Sequence, residues 1–157
     1  MAFVLFLSTG CYADIDLSPS EKREVFDGEL VLRSFDTGEK YDTYEAIGLV
    51  QAPVEAVLKV LSDYDQYCEF MPNVKSVTVV EKEAHAVVLD YVLQLPLRIK
   101  KQYRLLFDTV ERDSVITLSW EMIQNEEILP QETIKETKGC WILEQQEQNT
   151  TLASKLK

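Results

Sequence analysis

The stretch from Ala52 to Val74, APVEAVLKVLSDYDQYCEFMPNV, decides how the rest of the chain is read. Pro53 stands at a helix start, and Val54, Val57, Leu58 and Leu61 then recur at three- and four-residue spacing. That spacing puts them on one face of an amphipathic helix ending near Ser62 and Asp63. A second helical turn is predicted over 65–70, and Met71-Pro72 ends it because proline cannot continue a helix. Two short helices therefore separate what lies before residue 52 from what lies after residue 74.

Downstream the period changes from helical to two-residue. Strands are expected at about 74–81, 86–94, 98–109, 115–124, 133–144 and 151–156, joined by short polar turns. This is a long antiparallel meander. In the second of these strands His85, Val87, Leu89, Tyr91, Leu93 and Leu95 share a face. In the third, Ile99, Tyr103, Leu105 and Phe107 fall on one side and Arg98, Lys100, Gln102, Arg104 and Asp108 on the other, with Lys101 the exception. Further on, Trp120 and Met122 alternate with Ser119 and Glu121. One face is apolar and one is wet, and a strongly curved sheet would gather the apolar residues into a concavity.

Upstream, Ser18-Pro19-Ser20-Glu21 has the form of a capping box with proline in the first turn, and Asp27-Gly28 stops the helix that follows. Residues 30–35 and 41–50 read as a hairpin through Asp36-Thr37-Gly38. Residues 1–13 hold a short apolar run, Ala2 to Leu7, and then small residues up to Ala13, which resembles the end of a secretory leader. Ser8-Thr9-Gly10-Cys11 resembles a lipoprotein box without its usual leucine. The expectation is an exported, periplasmic protein, with a cytoplasmic one as the alternative. The organisation that follows is a leader at 1–13, a lead-in helix at 14–28 and one folded unit at 29–157.

With 157 residues, 46% of them hydrophobic, and only five glycines and five prolines, the chain can build a core. Its formal charge of −11 repels phosphate backbones, so nucleic acid is not an expected partner. The apolar run near the start is too short to span a bilayer. Cys68, Cys140 and His85 form no metal-ligand spacing, and a Cys68–Cys140 bridge is disfavoured; no metal and no cofactor are expected.

The motif from Ala52 to Val74 resembles the opening of START-like polyketide cyclase and lipid-transport proteins, the SRPBCC superfamily. Members carry an "APxEVV" helix, a "DYDxYPxFMPxV" connection and then antiparallel strands. Here Ala52-Pro53-Val54-Glu55-Ala56-Val57 and Asp63-Tyr64-Asp65-Gln66-Tyr67-Cys68-Glu69-Phe70-Met71-Pro72-Asn73-Val74 stand in those places, with Cys68 where proline is common. The resemblance covers about residues 29–156. It implies an α+β helix-grip fold of the START/Bet v 1 type, with Tyr64, Tyr67 and Phe70 packed as an aromatic cluster. It also implies a closing C-terminal helix beyond Leu156, so the sequence reads as truncated there. The sheet face would then be partly open, inviting self-association or transient membrane contact.

For function, the resemblance implies a pocket for a hydrophobic small molecule, such as a lipid, an isoprenoid quinone or a polyketide-like compound. Its walls would include Leu89, Tyr91, Leu93, Tyr103, Leu105, Trp120 and Trp141. Plain core packing of the same residues is the competing expectation. An enzyme of the aromatase/cyclase kind would use His85, Tyr91, Arg104 or Glu121 to move protons, although no fixed spacing links them. His85, in a charged turn, reads as a surface residue. Arg98, Lys100, Lys101 and Arg104 form the basic cluster and read as a solvated strand face. A protein-interaction module using an open sheet face or edge is the third reading.

Overall fold

The computed structural model describes residues 15–36, 38, 42–147 and 149–156. The leader-like segment, including Cys11, lies outside them, as do Thr37 and Tyr41 of the first hairpin. The chain order is α1 (Pro19–Phe26), β1 (Val31–Phe35), β2 (Thr43–Val50), α2 (Val54–Leu61), a 3-10 turn at Tyr64–Gln66, α3 (Tyr67–Phe70), β3 (Val74–Lys82) and β4 (Ala86–Gln94). A second 3-10 turn at Pro96–Arg98 then leads to β5 (Lys100–Arg112), β6 (Val115–Ile123), β7 (Lys138–Gln146) and β8 (Asn149–Leu156).

All eight strands make one antiparallel sheet in the order β1-β2-β8-β7-β6-β5-β4-β3. Strands β3 to β8 are the expected meander, and the β1–β2 hairpin joins it by pairing β2 with β8, Ile47 opposite Ala153. The edge strand β3 carries two register shifts against β4, which interrupt a regular edge and discourage pairing with another chain.

Helices cover both faces. On the front face, Val57 of α2 is buried with Ile116, Leu118 and Leu143. Tyr64 and Tyr67 are buried there with Val87, Leu89, Tyr91, Leu105 and Phe107. On the back face, Val25 of α1 is buried with Val31, Ile47, Cys140, Ile142 and Ala153. The capping box forms: the Ser18 hydroxyl accepts the Glu21 N–H, and the Glu21 carboxylate accepts the Ser18 N–H at 2.8 Å. That carboxylate also takes the Arg33 Nε–H at 2.9 Å, while Arg33 Nη1 reaches the buried Glu45 at 3.0 Å and Lys155 Nζ reaches it at 3.1 Å. A chain of charges thus fastens α1 to β1, β2 and β8.

Two expected strand starts are corrected. Strand β5 begins at Lys100 rather than Arg98, because Leu97 and Arg98 both adopt a left-handed conformation, φ 61°, that no strand can contain. Ile99 consequently stands before the strand and is exposed. Strand β7 begins at Lys138 rather than near Thr133, because the preceding loop turns back on β5, where the Glu132 carbonyl accepts the Gln102 N–H at 2.7 Å. Cys68 is a free, exposed thiol, so it makes no bridge to the buried Cys140.

Candidate functional site

The front face gathers most of the residues singled out from the sequence. The register sets Tyr91 opposite Tyr103, Leu89 opposite Leu105 and Phe107 opposite Trp120, so alternating residues of β4, β5 and β6 point the same way. Their rings form a continuous run. Tyr91 and Tyr103 stack with centroids 5.1 Å apart and planes 8° apart. Tyr67 lies 6.4 Å from Tyr91, Tyr64 lies 5.8 Å from Phe107, Phe107 stacks on Trp120 at 5.8 Å, and Trp141 is 6.0 Å beyond Trp120. The expected cluster of Tyr64, Tyr67 and Phe70 forms with edge-on contacts of 5.5 and 5.4 Å, although Phe70 stays half out in solvent.

The helices that cap this wall are held from a distance. No side chain next to Pro53 caps α2; instead Gln145 of β7 accepts the Val54 N–H at 2.9 Å. The Thr150 hydroxyl of β8 donates to the Ala52 carbonyl at 2.8 Å. The Tyr67 hydroxyl donates to the Leu61 carbonyl, joining α3 to the end of α2. These contacts seat the helices over β4–β8 and leave the β1–β2 end of the front face bare, where Leu30, Leu32, Tyr44 and Leu156 are exposed.

The polar character of the wall comes from tyrosines. Burial pushes the Tyr103 phenol up to about 12 and that of Tyr91 higher still, so both remain neutral donors. Among the described residues, no side-chain oxygen shut away from solvent lacks a partner, yet the Tyr91 and Tyr103 hydroxyls bond to no protein group. Both hydroxyls therefore open on accessible space, even though Tyr91 as a whole is only 3% exposed.

Of the seven predicted wall residues, Leu89, Tyr91 and Leu105 are buried in the cluster beneath α3, and Tyr103 and Trp120 pack against it. Trp141 is half-buried and sits with the α2 cluster. Leu93 occupies the same face near the end of β4, opposite Val74 and Lys101. The proton-transfer candidates do not converge. His85 is exposed in the β3–β4 turn, and Glu121 is exposed on β6. Arg104 faces the back, where it grips Asp90 through two bonds of 2.6 and 2.7 Å, leaving Tyr91 alone on the front. Among the described residues there is no group of three or more acidic, histidine or cysteine side chains placed to hold a metal, and no helix long and apolar enough to cross a membrane. Sequence reading did not anticipate Gln145 or Thr150, whose partners lie more than ninety residues away.

The sequence profile of the polyketide cyclase / dehydrase and lipid transport family matches residues 50–154. No curated protein matches the chain in sequence. The fold is similar to the STAR-related lipid transfer protein from Xanthomonas axonopodis, with a TM-score of 0.72 and 16% identity over 82% of this chain and 75% of that one. Human STARD10 is similar with a TM-score of 0.70 and 10% identity; 81% of this chain is covered but only 56% of that one. The Zhui aromatase/cyclase from Streptomyces sp. R1128 gives a TM-score of 0.56 and 17% identity over 80% and 67%. At such identities the likeness is one of fold. The antiparallel sheet with its short helices is the helix-grip arrangement of the START/Bet v 1 type.

Proposed function

Because the chain belongs to the polyketide cyclase/dehydrase and lipid transport family, we propose that it binds and carries a hydrophobic small molecule against the aromatic wall of its front face. One observation carries this reading. Two neutral, unpartnered phenols, Tyr91 and Tyr103, open on accessible space within a surface otherwise made of rings and aliphatic side chains. Such a surface suits a ligand with a long apolar body and one or two acceptor oxygens. Burial of the body would supply affinity at about 0.8 kcal/mol per methylene, and the hydroxyls would set its orientation. Lipids, isoprenoid quinones and polyketide-like compounds all have this form.

The aromatase/cyclase reading is the second, favoured by Tyr91, which could donate a proton to a bound poly-ketone. His85, Arg104 and Glu121 point elsewhere or into solvent, so that chemistry would rest on Tyr91 alone. Export, suggested by the apolar run before Ala13, is part of the proposal and is checked by cell fractionation.

The test is a titration of intrinsic fluorescence with a quinone, an acyl chain and a polycyclic phenol. Trp120 and Trp141 both stand in the wall, so an occupying quinone quenches them saturably. The absence of a saturable response to all three would overturn the carrier. Turnover lost in Tyr91→Phe with binding kept would favour the enzyme.

A further inference from the structure

We infer that Cys11 is joined to Cys140 in a disulfide that fastens the start of the folded unit to the back face of the sheet. The chain has three cysteines, Cys11, Cys68 and Cys140. Cys140 is disulfide-bonded, whereas Cys68 is a free thiol. Within the chain that leaves Cys11 as the other half of the bond.

Chain geometry points the same way. Cys140 is fully buried on the back face with Val25, Val31, Ile47, Ile142 and Ala153. Ile15 and Leu17 pack against that same cluster, and the Asp16 carbonyl between them accepts the Arg33 Nη2–H at 2.9 Å. The chain is therefore already held on the back face, beside the Cys140 cluster, at residues 15–17. Cys11 stands four residues before Ile15, and four residues span at most about 14 Å even when fully extended. Covalent geometry alone keeps Cys11 near Cys140, whatever path residues 11–14 take. Cys68 is placed differently. It belongs to α3 over the front face, where its thiol lies 3.5 Å from the Asp65 carbonyl, and the sheet stands between it and Cys140.

The bond changes what the first residues are for. A sulfur shared with Cys140 cannot carry a lipid thioether, so Ser8-Thr9-Gly10-Cys11 does not serve as a lipid-attachment box. A cut after Ala13 would leave Cys11 on a severed peptide, so any leader ends ahead of Cys11. The cross-link closes a loop that takes in most of the folded unit, and a loop of that length removes much of the freedom of the unfolded chain. It forms when the Cys11 and Cys140 thiols together give up two protons and two electrons to a protein disulfide donor, whose own disulfide becomes two thiols. Such donors act in oxidising compartments. The cross-link thus rests on the export part of the proposed function and is independent of what the front face holds.

The experiment is peptide mapping of the protein purified from its own source, with thiols blocked before lysis and trypsin digestion without reduction. Trypsin cuts after lysine and arginine, so Cys11 leaves on the peptide ending at Lys22, Cys68 on 60–75 and Cys140 on 139–155. The expected product is the peptide ending at Lys22 joined to 139–155, released into its halves by reduction, with the blocking group on 60–75 alone. Blocking groups on all three cysteines, a Cys68–Cys140 link, a lipid on Cys11 or a mature chain that starts after Cys11 would each overturn the proposal. Three blocked thiols in a protein that fractionates as exported would keep export and remove the cross-link. Stability gives a second readout: Cys11→Ser, its fold verified by circular dichroism, should lower the thermal midpoint by roughly 10 °C, and reduction of the parent should lower it as far. Reduction of Cys11→Ser should lower it no further. A parent whose midpoint ignores reductant would overturn the bond as well.

Discussion

The Trp120 indole lies directly on Gly139: a Cβ at residue 139 would stand 2.5 Å from Cζ2 of Trp120 and 2.2 Å from the carbonyl oxygen of Lys155. The two residues face each other across β6 and β7, so the bare glycine is what lets the ring lie against the sheet between Phe107 and Trp141. A backbone carbonyl cannot swing aside as a side chain can. Gly139→Ala is therefore expected to cost about 1–3 kcal/mol as overpacking, and to shift tryptophan emission. Urea midpoints with fluorescence detection measure both effects together.

The Gln145 amide is the N-terminal cap of α2, although it belongs to β7. Gln145→Ala removes that acceptor and should cost about 1 kcal/mol, as loss of a local cap does. Hydrogen exchange should then be faster in α2 and unchanged in β4 and β5. Uniform acceleration across the sheet would show that the bond does more than seat the helix.

Two substitutions on the wall should separate binding from folding. The Tyr91 hydroxyl has no partner among the described residues, so Tyr91→Phe is expected to leave stability within about 0.5 kcal/mol and to weaken an oxygen-bearing ligand. Leu105 is buried among Tyr64, Leu89 and Phe107, and Leu105→Ala should cost about 2–5 kcal/mol with or without ligand. Thermal midpoints set against fluorescence titrations give the comparison.

Much of this arrangement was legible because single elements obey one period. The spacing of Val54, Val57, Leu58 and Leu61 gives α2, and the alternation of Val87, Leu89 and Tyr91 gives β4 and its inward face. The capping box marks the start of α1 residue by residue. The packing of α1 on the back face was not legible, because β7 and β8 bury residues on both sides: Leu143 in front, Cys140 and Ile142 behind. A strand apolar on two faces shows no alternation to read. The left-handed pair Leu97-Arg98 was hidden as well, since neither residue type favours that conformation. Alternation put Tyr91, Tyr103 and Trp120 on the apolar faces of their strands, and the pairing of β4, β5 and β6 brings those faces to one side of the sheet. The same alternation put Arg104 on the other face, but its ion pair with Asp90 depends on the β4–β5 register, which the spacing of residues does not reveal.

Acid should loosen α1. Hydrogen bonds from the Ser18 hydroxyl and backbone, and then from Arg33, hold the Glu21 carboxyl at about 2 against an ordinary 4.5. A carboxyl depressed by folding stabilises the folded state fully above pH 4.5, and that contribution disappears as the pH falls toward 2. The stability gap between the parent and Glu21→Gln should be constant near neutrality, shrink below pH 4.5 and vanish near pH 2. Denaturation midpoints across that range test the sign; a gap that widens on acidification would contradict it.

The central claim, that the front face holds a hydrophobic small molecule, is tested most directly by native mass spectrometry of the protein purified from its own source. Organic extraction and identification of whatever is released should follow. The account predicts a folded ion carrying one stoichiometric adduct, with an extract containing a largely apolar compound bearing one or two oxygens. A folded ion at the bare mass of the chain, with nothing lipophilic in the extract, would contradict it.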